Sequence, residues 1–357
     1  MKIPIIPKNL IFGKITELSP SKYTQLKDGC VYSFLMDTTL RKCGRPKLHM
    51  PPKTFNNVIG TIIHKVYQYV NTGSLERDEE KITQFWQNEC KKHTENISAE
   101  YPSLRNIMIA DYDAMFDTID VVCNASNNVK FSTTNDTKIQ KPNEHEVELK
   151  GLLRGSIDKV KANSNGYEII DYKTGKYQDE NGNIKQDYID QLNLYAYMLE
   201  ECEGVTVNKL TILDIKGNEI DVPYYKSEKR NVLNAVKALI DRINGSIDKK
   251  CTDTLINSSQ DNCNFCTSYH LCNKRCDLPE SSFHIIEGTV TKVWNQDQIS
   301  IRTHTGDEVI VSKLRVLNIE DIDTLIGKTL IFVNLIEVQS NSLYSRCDWT
   351  TIYEREV

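Results

Sequence analysis

Apolar positions in the first 120 or so residues recur at helical spacing. Ser19-Pro20-Ser21 is a helix-start signal, a hydroxyl cap followed by a residue that needs no backbone donor, and Tyr23, Leu26 and Cys30 then share one face. Residues 56–71 carry Val58, Ile62, Val66 and Tyr69 along one side, which predicts a further helix. Residues 76–123 keep the helical period, with Phe85, Trp86, Tyr112 and Phe116 as expected aromatic anchors. A polar stretch rich in Asn and Thr at 124–145 reads as a loop.

Beyond that loop the pattern becomes one of short β-type runs. The runs 146–153, 155–161 and 166–173 are broken by Gly151, Gly155 and the turn Asn163-Ser164-Asn165-Gly166, which predicts a meander. A loop at 174–187 leads to a helix at about 188–202, two strands within 207–225 turn at Lys216-Gly217-Asn218, and a long amphipathic helix covers about 227–248. From Phe283 the chain is strand-like again at 285–293, 298–303, 308–312 and 329–338. The reading is therefore an α/β unit over 1–282 and a small C-terminal β-barrel, OB-like, over 283–357. There is no internal repeat.

Bulk composition narrows the class. With 357 residues the chain can bury two cores, and 39% hydrophobic with 26% charged residues is the balance of a soluble protein. No run reaches the roughly 18–20 apolar residues of a membrane span. Met1-Lys2-Ile3-Pro4-Ile5-Ile6-Pro7 is interrupted by prolines and has no small-residue cleavage site, so the expected location is the cytoplasm. A net charge of −5 disfavours a passive non-specific DNA binder, which depends on neutralising phosphates. It is compatible with a metal enzyme, whose ions restore positive charge locally.

The candidate chemistry begins at Ile169-Ile170-Asp171-Tyr172-Lys173. On a strand Asp171 and Lys173 project to one side and Tyr172 to the other. An antiparallel return through the Asn-Gly turn brings Asp158, of Gly155-Ser156-Ile157-Asp158, beside Asp171. Two carboxylates are hard oxygen ligands suited to Mg²⁺ or Mn²⁺, and a neighbouring lysine suits an attacking water or charge growing on a phosphate. Taken alone, the same residues are also a salt bridge on a strand.

Their order along the chain resembles the RecB-type branch of the PD-(D/E)XK nuclease superfamily. That branch shows G-x-x-D, then an apolar strand ending D-Y-K-T-G, then a helix with Q-x-x-x-Y. Gly155 to Asp158, Asp171-Tyr172-Lys173-Thr174-Gly175, and Gln191 with Tyr195 stand in those places, and Gly60-Thr61-Ile62-Ile63-His64 matches an upstream G-x-x-x-H. The proline of the superfamily's name is missing from the first motif. The resemblance implies a restriction-endonuclease-like mixed sheet flanked by helices. It also implies a Mg²⁺- or Mn²⁺-dependent deoxyribonuclease, an exonuclease on single strands or DNA ends in repair, recombination or prokaryotic defence. His64, Asp158, Asp171 and the Tyr172 carbonyl would ligate metal, and Asp158, Asp171 and Lys173 would be catalytic. Gln191 and Tyr195 would contact DNA or support the site. A separate helicase is an implied partner, and a non-catalytic assembly subunit of a helicase–nuclease is the competing class. The basic loop from Arg41 and Lys42 to Lys47 is a candidate phosphate contact.

Eleven cysteines without an export signal are more readily metal ligands than disulfides. Cys90, Cys123 and Cys202 read as buried small hydrophobes. Cys263-Asn264-Phe265-Cys266 followed by Cys272 has chelating spacing, and thiolates favour zinc or iron–sulfur. The residues by themselves permit a zinc knuckle closed by Cys276, while Thr267 after Cys266 excludes a simple c-type haem site. The resemblance extends to the iron–sulfur subgroup seen in CRISPR-adaptation exonucleases and AddB. It implies a [4Fe–4S] cluster on Cys30, Cys263, Cys266 and Cys272, acting as a structural staple, with Cys43 and Cys276 as substitutes. Two weaker signals change nothing. Gly327-Lys328-Thr329 lacks the first glycine of a P-loop. Trp294, Phe332, Tyr344 and Trp349 of the acidic barrel suit packing better than base stacking.

Overall fold

A computed structural model of the chain describes residues 3, 5–6, 10–42, 55–104, 107–124, 145–149, 151–225, 229–264, 266–272, 274–276, 284–317, 319–340 and 342–355. After a short strand β1 (Ile5–Ile6), helix α1 (Pro20–Lys27) starts at the expected place, with Ser19 Oγ accepting from the Lys22 amide at 3.2 Å. The single helix expected there is two. At Gly29 any side chain would meet the Gln25 carbonyl oxygen at 2.1 Å, and after Cys30 the chain restarts as α2 (Val31–Lys42). Cys30 thus stands in a break between helices. The side chains of Arg41 and Lys42, with Cys43 and the rest of the basic loop, lie outside the described residues.

Helix α3 (Phe55–Asn71) buries Val58, Ile62 and Val66 as expected, but the stripe continues through Val70. Tyr69 is 40% exposed and leans on Phe85 at 5.2 Å. Helix α4 (Glu79–Glu100), capped by Asp78, ends just before Pro102, where the missing amide and the ring forbid continuation. Helix α5 (Tyr112–Ile119) turns Met115 and Ile119 inward, so Tyr112 (63% exposed) and Phe116 (54%) are not anchors.

The middle run of the expected meander is also divided. β2 (His145–Leu149) pairs with β3 (Leu153–Ile157), whereas β4 (Lys159–Asn163) pairs with β5 (Gly166–Lys173). Asp158 is the bend between the two ladders. Helix α6 (Gln186–Glu203) carries the chain back so that β6 (Val207–Asp214) runs parallel to β5, as a parallel pair requires, and β7 (Glu219–Val222) adds antiparallel. The resulting sheet, β4-β5-β6-β7, is mixed. Because side chains alternate, Ile169, Leu210 and Ile212 face one helical layer (α1, α6 and α7, Lys229–Asp248). Ile170, Tyr172 and Leu213 face the other, α3 to α5. No helix of the described residues is long and apolar enough to cross a membrane.

After a short helix α8 (Gln260–Asn264) comes a closed five-stranded barrel: β8 (His284–Trp294), β9 (Gln298–Thr303), β10 (Glu308–Ser312), β11 (Thr329–Gln339) and β12 (Leu343–Arg355). β12 lies between β10, to which it is parallel, and β11, which closes on β8. In barrel order the strands run first, second, third, fifth, fourth, the OB arrangement. The fifth strand escapes the sequence pattern because Arg346, Asp348 and two register shifts against β11 interrupt its alternation. Phe332 and Tyr344 are barrel core, and Trp349 packs on the helix layer of α3 to α5. Lys328, of the P-loop-like triplet, pairs with Glu354 at 2.9 Å.

The barrel rests on the cysteine-rich segment. Met36 and Leu40 of α2, Leu271, and the barrel's Ile331, Val333 and Tyr353 form one buried cluster. His270, 1% exposed, stacks on Tyr353 at 4.9 Å. Tyr353→Ala is expected to cost about 3–5 kcal/mol in urea unfolding, the price of removing a large buried aromatic. A loss below about 1 kcal/mol would mean that this contact is not what seats the barrel.

Candidate active site

The site forms at the C-terminal end of β5. Asp171 (5% exposed) and Lys173 project toward α6, and the lysine ammonium sits 2.7 Å from Asp171 Oδ2. The β4–β5 ladder ends with Lys159 paired to Ile170, and Asp158 is the next residue out, in the bend before β4. Asp158 Oδ2 accepts the Tyr172 amide at 2.8 Å, which ties the bend to the strand end. The first acidic motif is therefore joined to the end of β5 by a side-chain contact to Tyr172, between Asp171 and Lys173.

From the α6 side, Gln191 reaches both charged groups. Its Oε1 accepts from Lys173 Nζ at 3.2 Å and its Nε2 donates to Asp171 Oδ1 at 3.4 Å. Gln191 and Tyr195 are 8% and 5% exposed. Tyr195 lies over Gly155, where a Cβ would stand 3.0 Å from its ring and 2.9 Å from Pro20, so the G-x-x-D glycine lets β3, α1 and α6 approach closely. Gly60 serves similarly on α3: a Cβ there would meet Thr174 Oγ1 at 2.9 Å. Sequence reasoning missed Tyr188. Its ring lies 4.4 Å from Lys173 Nζ, and the available signal was its position three residues before Gln191 on the same helical face.

Helix α3 contributes His64, whose Nδ1 is 3.7 Å from Asp158 Oδ2. Three and seven residues on, Tyr67 and Asn71 flank the buried Tyr172 ring, the former at 5.2 Å between centroids and the latter donating to its hydroxyl at 2.5 Å. Burial, reinforced by the Asp158 charge, holds the Tyr172 phenol well above the usual tyrosine range. Asn71 in turn accepts from Lys159 Nζ at 3.1 Å. Burial, aided by Lys161 and Arg77, lowers Lys159 from 10.5 to about 8.

Lys159 has a consequence for stability. Between those two values the unfolded chain holds a proton that the folded chain lacks, so this site's contribution to stability rises with pH there, and below pH 8 the full penalty of burying the cation applies. Lys159→Met is expected to stabilise the protein at pH 7 by on the order of 1–2 kcal/mol, with the advantage fading as pH climbs through that window. Thermal melts at both ends of the window check this, and an advantage that grows with pH would contradict it.

Two carboxylates and an imidazole suit a hard divalent cation. Asp171 Oδ2 is buried, and although Lys173 is near it, no hydrogen bond is aligned on that oxygen. This buried, incompletely satisfied oxygen is where the donor set fits a metal. His64, Asp158 and Asp171 are not drawn into a coordination sphere, however: among the described residues no three His, Cys, Asp or Glu side chains are gathered closely enough to hold an ion.

The same holds for the cysteines. None of those described is in a disulfide. Cys266 and Cys272 each lie within electrostatic reach of both Cys30 and Cys263. Cys266 Sγ is 3.2 Å from Ser33 Oγ, one turn beyond Cys30, and Asn257 Nδ2 donates to the Asp28 carbonyl at 3.0 Å. Burial pushes the Cys266 and Cys272 thiols up, opposed at Cys266 by hydrogen bonding with Ser33. Cys276 approaches Cys263 through its backbone amide, 3.5 Å from Sγ.

Comparison with known proteins agrees with this geometry at the level of family. A family model described as the PD-(D/E)XK nuclease superfamily matches residues 17–273, a span that includes every residue named above from His64 to Lys173 and from Cys30 to Cys272. No curated protein matches the chain. Among solved structures, the crystal structure of SSO0001 is similar at 18% identity over 53% of this chain and 83% of that one, with a TM-score of 0.28, too low to bear on fold or site. With well over half of its length matched, the chain belongs to the PD-(D/E)XK nuclease superfamily.

Proposed function

We propose that this chain is a Mg²⁺- or Mn²⁺-dependent deoxyribonuclease, an exonuclease acting on single strands or DNA ends. The observation that carries the reading is the buried group of Asp171, Lys173 and Gln191, with Asp158 tied to the Tyr172 amide at the same strand end. A structural salt bridge has no need of an amide that touches both its partners and of a second carboxylate held against the same strand end.

In this reading His64, Asp158, Asp171 and the Tyr172 carbonyl hold the cation. When bound, the cation lowers the pKa of a water and polarises the scissile phosphate. Lys173 orients the attacking water and offsets charge growing on the phosphate oxygens. Gln191 fixes the lysine and the carboxylate relative to each other. The burial of Gln191 and Tyr195 favours support of the site over direct DNA contact, and Arg41 and Lys42 remain the proposed phosphate contacts. Cys30, Cys263, Cys266 and Cys272 are proposed to hold a [4Fe–4S] staple, with zinc as the alternative. Residues 1–282 form the proposed nuclease domain and 283–357 the barrel domain. A cytoplasmic role in repair, recombination or defence, beside a separate helicase, fits the family.

The second reading is a DNA-binding or assembly subunit without catalysis, but Asp158, Asp171 and Lys173 are all present. Labelled single-stranded and duplex DNA incubated with Mn²⁺ and either wild type or Lys173→Ala separates the two. Cleavage by wild type alone supports the enzyme. Equal cleavage by both proteins, or none by either, refutes it.

A further inference from the structure

Lys173 is held by three groups, and only one of them is charged. The carboxylate of Asp171 lies at 2.7 Å, the amide oxygen of Gln191 at 3.2 Å, and the centroid of the Tyr188 ring at 4.4 Å. In the proposed reaction Asp171 must share its charge with a divalent cation, which weakens its grip on the lysine. Of the two neutral holders, Gln191 is itself hydrogen-bonded to Asp171, whereas the Tyr188 contact does not depend on the carboxylate's charge. An aromatic face attracts an ammonium through its quadrupole, and the attraction grows as water is excluded; Lys173 is 16% exposed.

The chain takes care to deliver this ring. Between Lys173 and α6 the loop folds back on itself, with Asp179 accepting from the Asn181 and Asn183 amides at 2.9 Å each and the Lys185 amide donating to the Tyr177 carbonyl at 2.9 Å. That closure starts α6 so that Tyr188, in its first turn, lies over the strand end, while Gln191 follows three residues later on the same face. Lys185 approaches the same ring less closely, at 5.8 Å. The ring also packs against the core shared by α1, α6 and the sheet, so its position is set by tertiary contacts.

We propose that Tyr188 is the positioning residue for Lys173, holding the ammonium in line by a cation–π contact once Asp171 is engaged elsewhere. This inference rests on the nuclease reading of the site for its catalytic meaning, though not for its physical content. Only the ring is required; the hydroxyl is not.

The test uses the full chain with Tyr188→Leu, which keeps apolar packing but has no ring face, and Tyr188→Phe, which keeps the face. In Mn²⁺-dependent cleavage, Tyr188→Leu is expected to lower kcat by about ten-fold with KM little changed, and Tyr188→Phe to retain wild-type kcat. Separately, in EDTA, an amine-acylating reagent with mass-spectrometric mapping reads how firmly Lys173 is held. Tyr188→Leu should label several-fold faster at Lys173 than wild type or Tyr188→Phe, with other lysines as internal controls of folding. Leu and wild type labelling alike, or Phe labelling as fast as Leu, overturns the proposal. A wild type that fails to cleave DNA defeats the nuclease reading, while the labelling pattern still decides whether Tyr188 holds Lys173.

Discussion

Lys173→Ala is expected to reduce Mn²⁺-dependent DNA cleavage by about 10²- to 10³-fold, the size of effect seen when one preorganised charge-stabilising donor is lost. The loss should fall on kcat, because the lysine is largely buried against Asp171 and Gln191 and is not a surface phosphate contact. The same substitution should also destabilise the fold. Asp171 is 5% exposed and would lose its charged partner, keeping the Gln191 amide at 3.4 Å. Breaking a buried ion pair by removing one partner typically costs about 3–5 kcal/mol. Added Mn²⁺ should restore much of that stability, since a ligand that binds only the folded chain stabilises it by mass action. The variant's thermal shift with Mn²⁺ is therefore expected to exceed that of wild type. An inactive variant whose stability ignores both the lysine's loss and the metal would point to a defect elsewhere, and the site would lose its claim to hold the cation.

Cys30→Ser is the second large effect. Protein purified anaerobically is expected to be brown, absorbing in the visible blue, and to lose colour when Cys30, Cys263, Cys266 or Cys272 is replaced by serine. Cys90→Ser, in the other helix layer, should leave colour intact. Closing the break between α1 and α2 onto the segment after α8 constrains a very long stretch of unfolded chain, although the gain grows only logarithmically with length. Metal coordination there would add far more, because such a site would exist only in the folded state. The barrel should feel the change. His270 and Leu271, between Cys266 and Cys272, pack on Tyr353, and Arg275 pairs with Glu287 at 3.5 Å. Hydrogen exchange in β11 and β12 should quicken in Cys30→Ser. A colourless protein that holds zinc would replace the cluster with the zinc alternative, and Cys276→Ser would then report the fourth ligand. A protein that holds neither metal removes the staple altogether.

The order of the motifs was legible without coordinates because chemistry of this kind is written locally. A strand ending Asp171-Tyr172-Lys173 sets its two charged residues on one face by the pleat alone, and Gln191 with Tyr195 share a face by helical pitch. Glycines at 60 and 155 could be matched to a pattern, but their reason was hidden. Each accommodates a side chain from a distant element, Thr174 in one case and Tyr195 with Pro20 in the other. Tyr112 and Phe116 show the opposite failure. Helical spacing predicts these large aromatics as anchors, whereas smaller neighbours at Met115 and Ile119 face the core, because periodicity gives a stripe without saying which side meets the protein. β12 was missed since its pairing on both edges tolerates polar residues that obscure a two-residue alternation.

What the amino-acid sequence determined alone was the set of chemical groups, their spacing along strands and helices, and through these the family. Tertiary structure decided which groups touch. It split the run at 155–161 at Asp158, so that the carboxylate became a bend held by the Tyr172 amide, and it brought Tyr188 over Lys173 through a loop whose closure no local propensity encodes. It also laid the barrel on the cysteine segment through Tyr353. Local backbone geometry follows from a few neighbouring residues, while contacts between distant elements depend on how whole faces pack, and that information is spread over the entire chain.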